Sequence, residues 1–119
     1  MAEPGGKANE RLTKSDRILS RETFRRTYDQ GTKYHAKYFT AFVISNQQEL
    51  SRLGITVTRK TGKSVERNRS RRLVREVFRK NKWRVPPGID IVINVKGALN
   101  AAGYADLEGD FVEFLKRAK

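Results

Sequence analysis

Apolar positions along the chain fall into a few short stretches, and their spacing changes from one stretch to the next. A helix is predicted from Ser20, a suitable N-cap, with Glu22 in the first turn where the helix dipole favours an acid. Phe24 and Tyr28 lie four residues apart and share a face, flanked by Arg21, Arg25 and Arg26, and Gly31 ends the helix after about three turns. Tyr34–Ser45 is rich in aromatic and β-branched residues and reads as extended. The polar stretch Asn46–Ser51 separates it from a second strand, Arg52–Thr58, and a hairpin is the economical connection. Arg59–Lys63 reads as a loop and Ser64–Asn81 as a helix whose continuation Pro86-Pro87-Gly88 forbids. Ile89–Val95 is an apolar run of strand length, expected to be buried on both faces. Gly97–Gly103 reads as a loop or short helical turn. A last helix from about Asp106 carries Leu107, Phe111, Phe114 and Leu115 at core-facing spacing. The order is helix, two or three antiparallel strands, helix, strand, helix, which favours an α+β sandwich over a doubly wound sheet.

Residues 1–14 include Pro4, Gly5 and Gly6 and little to bury, so a flexible tail is expected ahead of a single domain over residues 15–119. Met1–Glu10 lacks the hydrophobic segment of a signal peptide, and no apolar run reaches the length of a membrane span. The chain has no cysteine, which excludes disulfides and thiolate metal sites. A cytoplasmic protein is the default expectation.

Charge changes the picture. The formal net charge is +13, and Arg59–Arg84 holds twelve Lys or Arg against Glu66 and Glu76, a local balance of +10. Such clustering predicts a localised face for a polyanion rather than a uniformly basic surface. On a helical projection of Ser64–Asn81, Leu73, Val74, Val77 and Phe78 gather on one side with Ser70. Asn68, Arg71, Arg72, Arg75 and Arg79 fall on the other, with Arg67 and Arg69 at the margins. A merely solvated face would mix signs for i,i+4 pairing, whereas this one is nearly all positive. Arginine suits phosphate through paired hydrogen bonds and can also stack on bases.

The run Gly62-Lys63-Ser64-Val65-Glu66-Arg67-Asn68-Arg69-Ser70-Arg71-Arg72-Leu73-Val74-Arg75-Glu76-Val77-Phe78-Arg79 resembles the Arg-Asn-Arg signature of the bacterial ribonuclease P protein component family. The likeness extends upstream through Arg52–Lys60 and to Phe24, Tyr28 and Gly31, covering about Arg17 to Arg117. It implies a two-layer α/β sandwich of order α-β-β-β-α-β-α, with a four-stranded sheet and a left-handed β-α-β crossover, as in the second domain of a small-subunit ribosomal protein. It also implies a holoenzyme in which a catalytic RNA, with Mg²⁺ bound mainly by that RNA, removes the 5′ leader of precursor tRNA. The protein would be a monomer in a 1:1 complex with ribonuclease P RNA, contributing neither a catalytic side chain nor a metal site.

Carried over position by position, the resemblance makes Arg67, Asn68, Arg69, Arg71, Arg72 and Arg75 the RNA-facing residues of the signature helix. It assigns Phe24, Arg25, Arg26, Tyr28, Phe42, Thr58, Arg59 and Lys60 to a precursor-tRNA leader cleft between the first helix and the sheet. Stacking aromatics rimmed by cations suit a single strand. Burial in the core remains the alternative for Phe24, Tyr28 and Phe42. Trp83 and Tyr104 match no functional position and are expected to be packing residues. Competing classes are weaker. A protein nuclease would have only His35 as a histidine, and acids such as Asp106 and Glu108 suit helix capping instead. DNA binding lacks a dimerisation heptad, a zinc motif or a helix-turn-helix pair. A membrane-surface helix is disfavoured, because the apolar face of Ser64–Asn81 is needed for the core. A ribosomal or other non-catalytic RNA binder shares the charge but gives no reason for aromatics in a cationic cleft.

Overall fold

The computed structural model describes residues 20–118, so the tail expected at residues 1–14 lies outside the described residues. Three helices and four strands follow in the order α1 (Arg21–Gln30), β1 (Thr32–His35), β2 (Phe39–Ser45), β3 (Arg52–Thr56), α2 (Ser64–Lys80), β4 (Ile89–Val95) and α3 (Tyr104–Arg117). Short 3₁₀ turns at Arg59–Thr61, Lys82–Arg84 and Gly97–Ala101 join them. The Ser20 hydroxyl oxygen accepts from the backbone N–H groups of Glu22 and Thr23, as its N-cap role requires. At the other end Gly31 closes α1 in an extended conformation. A Cβ there would press on the Thr27 carbonyl oxygen and stand 2.9 Å from that of Val43, so close approach is what selects glycine.

The sheet order is β1-β2-β4-β3, with β1/β2 and β2/β4 antiparallel and β3/β4 parallel. Because side chains alternate along each strand, residues paired across the ladder share a face. One face carries Phe39, Ala41, Leu53, Ile91, Ile93 and Val95, all buried. Against it pack Val74, Val77 and Phe78 of α2 and Leu107, Phe111, Phe114 and Leu115 of α3. Phe39 and Phe114 meet edge to face at 5.8 Å between ring centres, a favoured aromatic geometry. The opposite face carries Phe42, Val92 and Gly54 in one row and Thr40, Asn94 and Thr56 in the next, with α1 against it.

Two sequence expectations need correction. The extended stretch Tyr34–Ser45 divides into β1 and β2, which form the hairpin themselves: the Ala36 N–H donates to the Phe39 carbonyl at 2.9 Å. The strands read as a hairpin, β2 and β3, are not paired, because β4 lies between them. The apolar run of β4 needs cover on both faces and a neighbour on each edge, which only a central position supplies. Asp90 fixes that insertion. Its fully buried carboxylate accepts from Arg52 Nε (2.8 Å) and Nη2 (2.7 Å) on β3 and from Asn46 Nδ2 (2.9 Å) after β2. A buried charge is tolerable only when paired and hydrogen-bonded in this way. The same hydrogen bond holds the Arg52 guanidinium above its ordinary pKa.

The final helix starts at Tyr104, slightly ahead of the expected Asp106. Tyr104 does act as a packing residue. Burial, reinforced by a hydrogen bond from its hydroxyl to Glu108 (3.0 Å), pushes its pKa up to about 12. Trp83 does not act as one: it is 65% exposed on the 3₁₀ turn after α2. The spacing that ties an aromatic to a helix face lapses once the helix has ended at Lys80.

Candidate nucleic-acid interface

Helix α2 owes its place to a division of labour along its length. Ser70, Val74, Val77 and Phe78 are buried toward the sheet, and Asn68, Arg72 and Arg75 are exposed on the far side. The N-terminal end is closed by Glu66, whose carboxylate accepts from the Lys63 backbone N–H at 2.8 Å. Arg72 and Arg75 make no hydrogen bond or ion pair among the described residues. Their charges face solvent with no ion-pair partner among the described residues. Arg71 is half-buried and donates to Asn68 Oδ1 at 3.0 Å, which orients both side chains of that turn.

The two arginines flanking Asn68 behave differently. Arg67 turns back over the start of the helix, donating to the Ser64 hydroxyl at 3.1 Å. Arg69 reaches inward to the carbonyls of Leu99 (3.2 Å) and Ala102, fastening the Gly97–Ala101 turn to α2. Its guanidinium serves as a brace in this arrangement. Arg79 is bound to Glu76.

On the other sheet face, α1 and β2 bring Tyr28 and Phe42 together, with ring centres 4.5 Å apart and planes inclined at 56°. Both rings are half-buried, as is Phe24, and the buried α1 residue is Thr27. Thr27 carries its hydroxyl to the Thr23 carbonyl at 2.8 Å, so a polar group enters the packing already satisfied. Arg25 and Arg26 are exposed on α1. From Phe42 the row continues through Val92 to Gly54, descending from a ring to no side chain. Thr58, Arg59 and Lys60, all exposed, follow β3 at the sheet end marked by His35 and Phe39. Two strand spacings, about 10 Å, and two residues, about 7 Å, separate the Phe42 position from that of Thr56. Thr58, Arg59 and Lys60 lie at one end of this sheet face, and the Tyr28–Phe42 pair lies nearer its middle.

Sequence reasoning missed Lys33. Its Nζ sits 5.7 Å from the Phe42 ring centre, adding a cation at the aromatic pair. Only the β1/β2 register, in which Lys33 opposes Phe42, could have found it. The acids near the last helix are occupied structurally. Asp106 accepts from the Gly103 N–H (3.1 Å), Asp110 from the Tyr38 N–H (2.9 Å), and Glu108 from Asn81 (2.9 Å) and Tyr104. Among the described residues, no three His, Cys, Asp or Glu side chains gather in a way that could hold a metal ion. No helix among them is long and apolar enough to cross a membrane.

Comparison with known proteins agrees with this arrangement. The family model described as Ribonuclease P matches residues 12–119. The chain is 45% identical over 96 residues to the ribonuclease P protein component of Syntrophus aciditrophicus, covering 81% of each chain. Its identity to the ribonuclease P protein component of a Clostridium botulinum strain is 34% over 106 residues, covering 88% of this chain and 96% of that relative. Among solved structures, the ribonuclease P protein of Thermotoga maritima superimposes with a TM-score of 0.78 at 34% identity, over 85% of this chain and 96% of that one. That of Staphylococcus aureus gives 0.79 at 28% identity, over 87% and 95%. A four-stranded mixed sheet backed by α2 and α3, the basic signature on α2 and these matches together identify the chain as a member of the ribonuclease P protein component family.

Proposed function

We propose that the chain binds ribonuclease P RNA through α2 and holds the 5′ leader of precursor tRNA in the cleft between α1 and the sheet. The observation that carries this reading is the separation of two unlike surfaces on one scaffold. One is a row of arginines on α2 in which Arg72 and Arg75 lack protein partners among the described residues. The other is the Tyr28–Phe42 pair with Lys33, Arg25 and Arg26 around it. The first suits a phosphate backbone, where each cation releases condensed counterions. The second suits an unpaired strand, whose bases stack on rings while cations follow its phosphates.

In this reading the chain works by position. Arg71, Arg72 and Arg75 grip phosphate oxygens of the partner RNA, and Asn68, oriented by Arg71, offers its amide beside them. Tyr28 and Phe42 receive a leader base, and Arg25, Arg26 and Lys33 neutralise the leader as it passes. Thr58, Arg59 and Lys60 extend the cationic rim at the end of β3. Hydrolysis is assigned to the partner RNA, as the family resemblance implies. A divalent ion supplies the activated water in such chemistry, and the cationic face of α2 does not fit one held by protein alone. Mg²⁺ is assigned to the RNA, and the family resemblance implies one copy of the chain to one RNA. A non-catalytic RNA binder would need the α2 surface but not the aromatic cleft.

The test is cleavage of precursor tRNA at low Mg²⁺ by bacterial ribonuclease P RNA alone, by the chain alone and by both. Cutting at the mature 5′ end only in the combined reaction is the expected outcome. No stimulation would favour the non-catalytic binder, and cutting by the chain alone would overturn assignment of the reaction to the RNA.

A further inference from the structure

Trp83 lies outside both surfaces. It is the only tryptophan of the chain and is 65% exposed, an unusual place for so large an aromatic group unless it meets something. Its setting is built. The Arg84 guanidinium carbon stands 4.1 Å from the ring centre, covering one face of the indole. Arg84 is held in turn by Asn81: its Nε donates to Asn81 Oδ1 (3.0 Å) and its backbone N–H to the Asn81 carbonyl (2.9 Å). Asn81 is itself buried and donates to the Val77 carbonyl (2.8 Å) and to Glu108 (2.9 Å), so the platform is anchored to both α2 and α3. Pro86 and Pro87 limit the freedom of the chain that follows.

Charge selects the occupant. Arg79, Lys80, Lys82 and Arg84 crowd this end of α2. Glu76 is already bound to Arg79, and Glu49 lines the neighbouring depression with Leu50, Lys82, Val85 and Pro87. At 1.5 Å per residue, Lys80 at the end of α2 lies about 12 Å beyond Arg72 along the helix, and the Lys82–Arg84 turn follows directly. The turn that displays the indole is thus within reach of a polyanion lying on Arg72 and Arg75.

We propose that Trp83, backed by Arg84 and flanked by Lys80 and Lys82, is a stacking platform for an unpaired nucleobase of the RNA lying along α2. This contact is separate from the cleft under α1. It rests on the reading of α2 as the RNA-binding face, and the experiment separates the two claims. With no second tryptophan, indole emission reports this position alone. The full chain is titrated with bacterial ribonuclease P RNA while end-labelled RNA anisotropy reports total binding, and Trp83→Ala and Trp83→Phe are compared by anisotropy.

Binding should quench the emission and shield the indole from acrylamide. Trp83→Ala should weaken binding about tenfold with an unchanged salt-dependence slope and unchanged Tm, and Trp83→Phe should stay within about threefold of the parent. Binding with unaltered emission, or Trp83→Ala binding like the parent, overturns the platform and leaves the α2 reading in place. A loss of affinity that tracks a loss of Tm assigns Trp83 to folding and also overturns it. Equal quenching by a fully paired RNA duplex refutes stacking on an unpaired base. No anisotropy change at all removes both claims.

Discussion

Tyr28 and Phe42 touch each other at 4.5 Å and each keeps part of its ring accessible, so both are at once packing and surface residues. Removing the Tyr28 ring tests which role dominates. Tyr28→Ala in the assembled enzyme should weaken leader-containing precursor tRNA more than mature tRNA, by about 1–3 kcal/mol if a base stacks there. Equal losses on the two substrates would assign the ring to packing alone. This pair was legible in the sequence as separate aromatics, but their contact was not, because it depends on where α1 crosses the sheet. Trp83 was misread for a related reason: exposure is decided by what the rest of the chain leaves uncovered. Arg69 shows the same limit, since neither composition nor spacing records that the carbonyls of Leu99 and Ala102 await it.

Among the elements, α2 was the most legible. Its boundaries, its buried stripe and its cationic row follow from periodicity, and a helix bounded by Glu66 at one end and Pro86 beyond the other leaves little freedom. Sheet order was not legible, because a local pattern names strands without naming their neighbours. β3 adopts β4 as its partner through a contact spanning 38 residues, from Arg52 to Asp90. The division within α2 predicts two classes of variant. Arg72→Ala and Arg75→Ala should each weaken RNA binding and lower the salt-dependence slope by about 0.7–0.9, with Tm unchanged or slightly raised. Arg69→Ala should instead destabilise the fold by about 1.5–3 kcal/mol, as two carbonyls lose a charged donor, with the slope retained. Salt titrations and thermal melts of the three variants would decide. A lower slope for Arg69→Ala would return that side chain to the RNA.

At the scale of the whole molecule, the chain carries a net charge of +13, of which Arg59–Arg84 supplies +10. Cations packed so closely repel one another, and the repulsion is strongest where Arg59–Arg84 supplies most of the excess. Raising NaCl from 0.1 to 1 M shortens the screening length from about 10 Å to about 3 Å. The free protein should therefore melt at a higher temperature in high salt while its RNA complex weakens, an opposite pair of responses readable from melts and binding titrations on one preparation. A Tm that falls with salt would mean that exposed ion pairs such as Lys116–Glu113 outweigh the repulsion.

The central position of β4 also has a consequence in time. Ribosomes deliver β1, β2, β3 and α2 before Ile89–Val95 exists. Until that strand emerges, β3 has no neighbour in the sheet and α2 lacks Ile91 and Ile93 to pack against. Only the β1/β2 hairpin can form early, and an isolated hairpin is marginal in water. The growing polypeptide thus carries its most basic helix, unseated, from the completion of α2 at Lys80 until Ile89–Val95 has been added. The sheet closes as one late event when Asp90 reaches Asn46 and Arg52.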